Sequence, residues 1–344
     1  MKKYRVVFVW ALLACTASAA WAAPDQVRKN DGTPPVTGKI TEISPLKIVV
    51  ESPRGTAEIP VNQVAQVILD GEPGALKTAK TAILAGRYED GLATMEKVDL
   101  AEDARKEVVQ EAHYYKALAT AKLALVGEGT IADAGRLMIG FFNENPKSYH
   151  YFEGAEVIGD LLVANRNYGP AATYYTKLAE APWPEYKMRA NVAIGKALLA
   201  ENKPAEAQKA FEAALAITGE GEAAERLRAT ANLGKFRCTA ESSKPEEVIK
   251  IAEDVIAKTD PEQTAVMAGA YNILGAALKK AGRTKEALMA FLHVDVLYYS
   301  DADAHAEALA NLAELWNTLQ QTERAVRARR TLDERYPTSP FARR

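Results

Sequence analysis

The sequence predicts a mostly α chain: a solenoid of about seven helical hairpins preceded by a small β module. Three observations predict it. Beyond Gly74 the composition turns Ala-rich, and apolar residues recur at every third or fourth position. One turn position, just ahead of each second helix, returns at Tyr88, Ile131, Tyr168, Pro204, Pro245, Thr284 and Thr322, at intervals typical of stacked repeats. Before Asp70 the pattern instead alternates with period two.

At the amino terminus, residues 1–22 read as a signal peptide. Lys2, Lys3 and Arg5 precede a short apolar run, Val6 to Ala14, and Ala20-Trp21-Ala22 is a small-x-small cleavage site. The chain is therefore expected to be exported and periplasmic or envelope-associated. No later run is long enough to predict a transmembrane segment. Leu12-Leu13-Ala14-Cys15 resembles the lipobox of bacterial lipoproteins, although Leu13 stands where Ala, Ser or Thr is usual. That resemblance implies, as the alternative, a lipid anchor at Cys15. Either cleavage leaves at most one unmodified thiol, Cys238, so no intrachain disulfide is expected and the fold must stand on packing. Cys238 lies in an apolar-patterned helix and reads as a small buried hydrophobe.

Residues 24–72 read as the β module. Gln26 to Lys29 is expected as an edge strand. Leu46, Ile48 and Val50 alternate with Lys47, Val49 and Glu51, Pro53-Arg54-Gly55 turns the chain, and strands return at Ala57–Ile59 and Val64–Leu69. Such short strands suggest a small barrel or rolled sheet, similar to SH3-like or Sm-like modules. Residues 34–72 hold no Phe, Tyr or Trp on which bases could stack. The formal net charge of −2 adds no electrostatic reason to expect nucleic acid.

Residues 75–344 read as the helical repeats, and 271–294 are the clearest of them. Tyr271, Leu274, Gly275 and Leu278 share one helix face, Ala281 to Thr284 break the pattern, and Ala287, Phe291 and Val294 make the second stripe. Three residues after each turn position comes a small residue: Gly91, Ala134, Ala171, Ala207, Ala287 and Ala325, with Val248 the exception. Four further on come Met95, Met138, Tyr175, Phe211, Ala252 and Phe291, and then Arg329, which suits a terminal hairpin facing water. Pro146, Pro184, Pro261 and Pro337 stand near the ends of second helices. Residues 75–340 thus resemble tetratricopeptide repeat (TPR) proteins, most specifically in the third, fourth and sixth hairpins.

The resemblance implies a concave groove lined by the first helix of each hairpin. Mapped onto this chain, that face carries Arg189 and Lys196, Arg228 and Lys235, then Asn272 and Lys279, each pair on one side of its helix. Glu153, Glu156 and Asp160 precede them, and Glu307 and Glu314 follow, so an acidic protein or peptide segment is the expected partner. The TPR clamp that grips a terminal carboxylate is not matched, since Gly269 and Ile273 occupy positions where it needs basic residues.

Chemistry is sparse. His-Glu-x-x-His, Cys-x-x-Cys, Gly-x-Ser-x-Gly and phosphate-loop patterns are absent, and the four His are isolated in sequence. In Ser300-Asp-Ala-Asp-Ala-His-Ala-Glu307 the acids two apart on a helix diverge. A capping box with Ser300 as the cap explains them better than a metal. Core packing is the default for the aromatic residues from Tyr149 to Tyr186; Tyr174 and Trp183 fall off the core stripe, and an exposed patch is the alternative for them. No enzymatic activity, cofactor or metal is expected. The sequence predicts a non-enzymatic scaffold or adaptor for envelope complex assembly. The alternatives are a membrane-anchored lipoprotein with a structural or secretion-assembly role, and an accessory module to an envelope-polymer hydrolase.

Overall fold

The computed structural model describes residues 24–240, 242–337 and 339–342. The leader, its cleavage site and the Cys15 motif lie outside the described residues. Strands β1 (Asp25–Lys29), β2 (Val36–Ile43), β3 (Lys47–Ser52), β4 (Gly55–Pro60) and β5 (Val64–Ile68) form one antiparallel sheet in the order β4-β3-β2-β1-β5. The segment expected at an edge is internal: Gln26 of β1 pairs with Thr37 on one side and Ile68 on the other. What holds it there is buried Asp25, whose carboxylate accepts the N–H of Ile40 at 2.9 Å and of Asp70 at 2.7 Å. Strands β4 and β5 are the edges, and no pairing between them closes a barrel among the described residues. The alternation expected in β3 also breaks. Val49 is buried along with Ile48 and Val50, opposite a bulge in β2, while Leu46 precedes the strand and is exposed.

Fourteen helices follow among the described residues, and about 65% of these residues are helical. They pair as α1 (Gly74–Leu84) with α2 (Tyr88–Met95), α3 (Lys106–Leu125) with α4 (Ile131–Glu144), and α5 (Tyr151–Ala164) with α6 (Tyr168–Ala179). Next come α7 (Pro184–Ala200) with α8 (Pro204–Leu215), and α9 (Glu222–Ala240) with α10 (Pro245–Lys258). The last two are α11 (Thr264–Lys280) with α12 (Thr284–Leu297), and α13 (Ala302–Thr318) with α14 (Thr322–Arg335). Every second helix starts at one of the seven recurrent positions. Two residues earlier the backbone turns left-handed, at Gly86 and Gly282 but also at Arg166, Asn202 and Gln320. Pro184 opens α7 instead of closing α6, because its missing N–H costs nothing at the first helical position.

The packing rule of the hairpins is a ring against a glycine. A Cβ on Gly159 would lie 2.4 Å from Tyr175, one on Gly195 2.6 Å from Phe211, and one on Gly275 2.7 Å from Phe291. The small residues at the start of the second helices are buried too, Ala134, Ala171, Ala207 and Ala287 completely. Successive first helices touch each other: α3 meets α5, α5 meets α7, α7 meets α9, α9 meets α11 and α11 meets α13. No comparable contact joins successive second helices, so the stack curves with its first helices inside. The cap of α13 is Asp301, which accepts the Ala304 N–H at 2.9 Å. Ser300, the expected cap, lies one residue too early and instead donates to Thr264 at 3.2 Å.

The β module shares its core with the first hairpins: Val27, Val67 and Leu69 pack with Leu76, Ile83 and Val108. It also runs along the edge where first helices begin. Arg105, just before α3, bonds Asp25 at 2.7 Å, and Asn62 donates to Glu185 of α7 at 2.7 Å. Between sheet and helices sits a buried ionic cluster. The Lys80 ammonium donates to the Val67 carbonyl at 2.6 Å and pairs with Glu72 at 3.2 Å and Glu111 at 2.5 Å. Glu111 also accepts from Tyr149 at 3.0 Å and meets His150 Nε2 at 2.9 Å. The imidazole is stacked 3.5 Å from Tyr114.

Burial alone would raise the Glu111 carboxyl, but Lys80 and His150 hold it at about 2. Burial alone would lower His150, but Glu111 and Glu153 outweigh it and raise it. A depressed acid stabilises above its ordinary 4.5, and this is lost as pH falls towards about 2. A raised histidine stabilises fully below 6.5, and this is lost as pH rises through the folded value. The expected result is a urea midpoint highest between these limits. Replacing His150→Gln should flatten the alkaline limb and shrink the acid limb only in part, since Lys80 still holds Glu111 down; an unchanged alkaline limb would remove His150 from the linkage.

Candidate functional site

The inner surface is built from the first helices, and its side chains bond from one hairpin to the next. Tyr114 on α3 donates to Glu153 on α5 at 3.1 Å. Both carboxylate oxygens of Glu156 on α5 accept from Nε and Nη2 of Arg189 on α7, whose guanidinium also lies 5.0 Å over the Tyr186 ring. Arg237 on α9 reaches Glu307 on α13 at 2.5 Å. Lys279 on α11 pairs with Glu314 at 2.5 Å and Asn311 at 3.3 Å, both on α13. The acids expected at the two ends of the groove, Glu153, Glu156, Glu307 and Glu314, are therefore on this face and committed to neighbours.

The six residues expected to line the groove do not converge. Arg189, Lys196 and Lys279 belong to the inner surface. Arg228 instead bonds Glu225 and the Gly219 carbonyl in the turn before α9, and Lys235 pairs at 3.1 Å with Glu212 on second helix α8. Two positions along a helix rotate a side chain by roughly 200°, so where Arg237 points inward Lys235 points away. Asn272 is 1% exposed: it donates to the Ala304 carbonyl at 2.8 Å and to Glu307 at 3.3 Å. Helix α11 is covered on nearly every side, with helices packed before and after it, so its expected groove face is an interior face. Tyr174 and Trp183 form no exposed patch. They are half-buried, Tyr174 edge-on to Phe142 and Trp183 against Phe152 and Tyr186.

On α7 the groove carries an unpaired charge, Lys196. It is exposed and has no hydrogen bond or ion pair among the described residues. Its charge is nevertheless felt by Asp160 on α5 and by Asp303 on α13. Burial first, then neighbouring Glu156, pushes Asp160 up to about 6, although Lys122, Tyr175 and Lys196 pull the other way. Tyr175 donates to it at 2.9 Å. Burial and Asp301 likewise raise Asp303. Asp160 is half-buried and Asp303 is exposed, so both reach water. This arrangement can accept a cation or N–H at the acids and a carboxylate at Lys196. Sequence reasoning named Lys196 but missed Asp303 and Arg237, which it had no means of placing across the curve.

The remaining histidines pack. His305 is buried between Tyr336 at 2.7 Å and Asp295 at 2.8 Å, which ties the chain after α14 to α12 and α13. Among the described residues no group of three or more His, Cys, Asp or Glu is placed to hold a metal ion, and no helix is long and apolar enough to cross a membrane.

No protein-family profile matches the chain, and no curated protein matches it. Solved structures do. A Rap protein complexed with competence and sporulation factor is similar at a TM-score of 0.50 and 12% identity, over 77% of this chain and 76% of that one. The apo form of RapI is similar at 0.47 and 12%, over 78% and 77%. YrrB, described as a TPR protein with an unusual peptide-binding site, is similar at 0.30 and 18%, over 60% of this chain and 95% of its own. The fold is a TPR-type helical solenoid.

Proposed function

We propose that this chain is a non-enzymatic scaffold that holds a peptide or protein segment against the inner faces of α5, α7 and α13. One observation carries the reading: Lys196 stands exposed and unpaired within electrostatic reach of Asp160 and Asp303, on a surface where Glu156, Arg189, Arg237, Lys279, Glu307 and Glu314 are bonded to one another. Uncommitted polar groups on a concave face are what a bound segment can satisfy without breaking the scaffold's own bonds. The segment would bear both a carboxylate and a basic or N–H group, in place of the purely acidic one that four converging cations would demand. A bound factor is part of the description of the Rap complex, but at 12% identity the likeness supports the fold, and the binding reading rests on the groove.

The test is a comparison of two charge reversals in cross-linking from native envelope. Lys196→Glu should weaken capture of the partner a few-fold, as an exposed pair worth about 0.2–1 kcal/mol allows. Lys235→Glu should leave capture unchanged, because that side chain faces α8. Equal loss in both variants would move the partner off the inner face.

Export and a place in envelope complex assembly belong to the same proposal and rest on residues 1–22. Intact mass of the processed protein is expected to match residues 23–344. A lipid-bearing mass starting at Cys15 would favour the anchored form instead.

A further inference from the structure

Helices α10 and α12 carry a large apolar residue directly after their small position. It is Ile249 in one and Leu288 in the other, 5% and 6% exposed, because the first helix of the next hairpin packs against each. The equivalent residue of α14 is Val326, and it is 60% exposed. Beside Val326 runs a cleft of about 860 Å³, walled by Ala310 and Ala313 of α13, by Ala325 and Arg330 of α14 and, towards the inner surface, by Ala276 and Lys279 of α11. Phe341, which packs on the apolar cluster of this hairpin, also lines it. Val326 thus stands bare at the position where Ile249 and Leu288 are covered by the next first helix.

We propose that this cleft seats an amphipathic α-helix of a partner protein, stacked on α13 and α14 as α13 stacks on α12. Continuity with the stacking interface identifies a helix as the occupant. The small side chains Ala310, Ala313 and Ala325 let another backbone approach to the usual interaxial distance of about 8–10 Å. The fold also argues against a series of copies stacked end on end. The opposite end of the stack is closed, since Leu76 and Ile83 of α1 are buried in one core with Val67 and Leu69 of the sheet. Copies therefore cannot stack head to tail. The matching face of the partner helix would resemble that of α13, with Ala304 and Ala308 interleaved with Leu309 and Leu312. Its flanks would carry both signs, because the rim sets Arg329 and Arg330 near Asp333 and Glu334. The cleft reaches the inner surface at Glu307 and Glu314 but does not include Lys196, and the proposal does not depend on that residue.

The probe is a labelled peptide of residues 301–319, the helix that fills the seat one hairpin earlier, offered to the full chain. Saturable binding is expected, weakened at least about tenfold by Val326→Lys, with the melting temperature unchanged because that side chain is already exposed. The same peptide tethered to the carboxyl terminus by a flexible linker raises its effective concentration. It should slow labelling of the thiol introduced by Val326→Cys at least about tenfold relative to the linker alone. Unprotected labelling in the tethered protein would overturn the proposal. So would a sedimentation profile in which the untethered chain is a dimer that Val326→Lys dissociates, since the seat would then belong to a second copy.

Discussion

Replacing Phe211→Ala is expected to lower stability by about 3–5 kcal/mol, the cost of emptying a fully buried aromatic site. The ring is 0% exposed and is gripped from both sides by backbone. A Cβ on Gly195 of α7 would lie 2.6 Å away, and one on Gly234 of α9 2.4 Å away. Neither glycine has a side chain to relax into the gap, so the cavity should persist. Because the ring joins the fourth hairpin to the fifth, its loss should also uncouple the halves of the stack. Repeat proteins owe their cooperativity to such nearest-neighbour interfaces. Urea unfolding followed by circular dichroism and by Trp fluorescence should then give two separated transitions where the parent gives one. A loss below about 1 kcal/mol with coincident transitions would show that other contacts carry this junction.

Replacing Lys80→Met should be comparably costly, at about 3–5 kcal/mol, because it leaves charge buried without its partner. The ammonium is 0% exposed, and Glu72 and Glu111 lose their nearest cation when it goes. The damage should be directional. Lys80 ties the Val67 carbonyl of β5 to α1 and α3, so amide exchange should accelerate first in β1 and β5. Adding Glu72→Gln and Glu111→Gln to the Met variant should recover part of the loss, since neutral amides cost less to bury than lone carboxylates. If the triple variant is no more stable than the single one, the effect lies in packing and not in charge.

The hairpin boundaries were legible because they are local. A turn followed by a small residue and then a ring is short-range chemistry, and each of the seven second helices begins where that pattern restarts. The glycine opposite the ring could be read as well, since Gly275 and Phe291 lie in one hairpin. Groove composition was legible only in part. Spacing by seven places Arg228 and Lys235 on one face of α9 but cannot say which face is inward. Ala231, Gly234 and Cys238 decide that by packing towards the core, and α9 has too little contrast between its faces to announce it.

By itself the sequence determined the repeat architecture, the hairpin phase in the strongly patterned helices, and the presence of a strand-rich segment before them. Each follows from the periodicity of neighbouring residues. Tertiary structure alone decided that β1 is internal, since its partners come from β2 and β5 on either side. It alone buried Asn272, because helices α9 and α13 close over α11 from both directions. It alone made a cluster of Lys80, Glu111 and His150, separated by tens of residues and joined by the docking of the sheet on the first hairpins. And it alone brought Asp303 of α13 within electrostatic reach of Lys196 on α7. Curvature is the sum of many small rotations between hairpins, and no single stretch of sequence contains that sum.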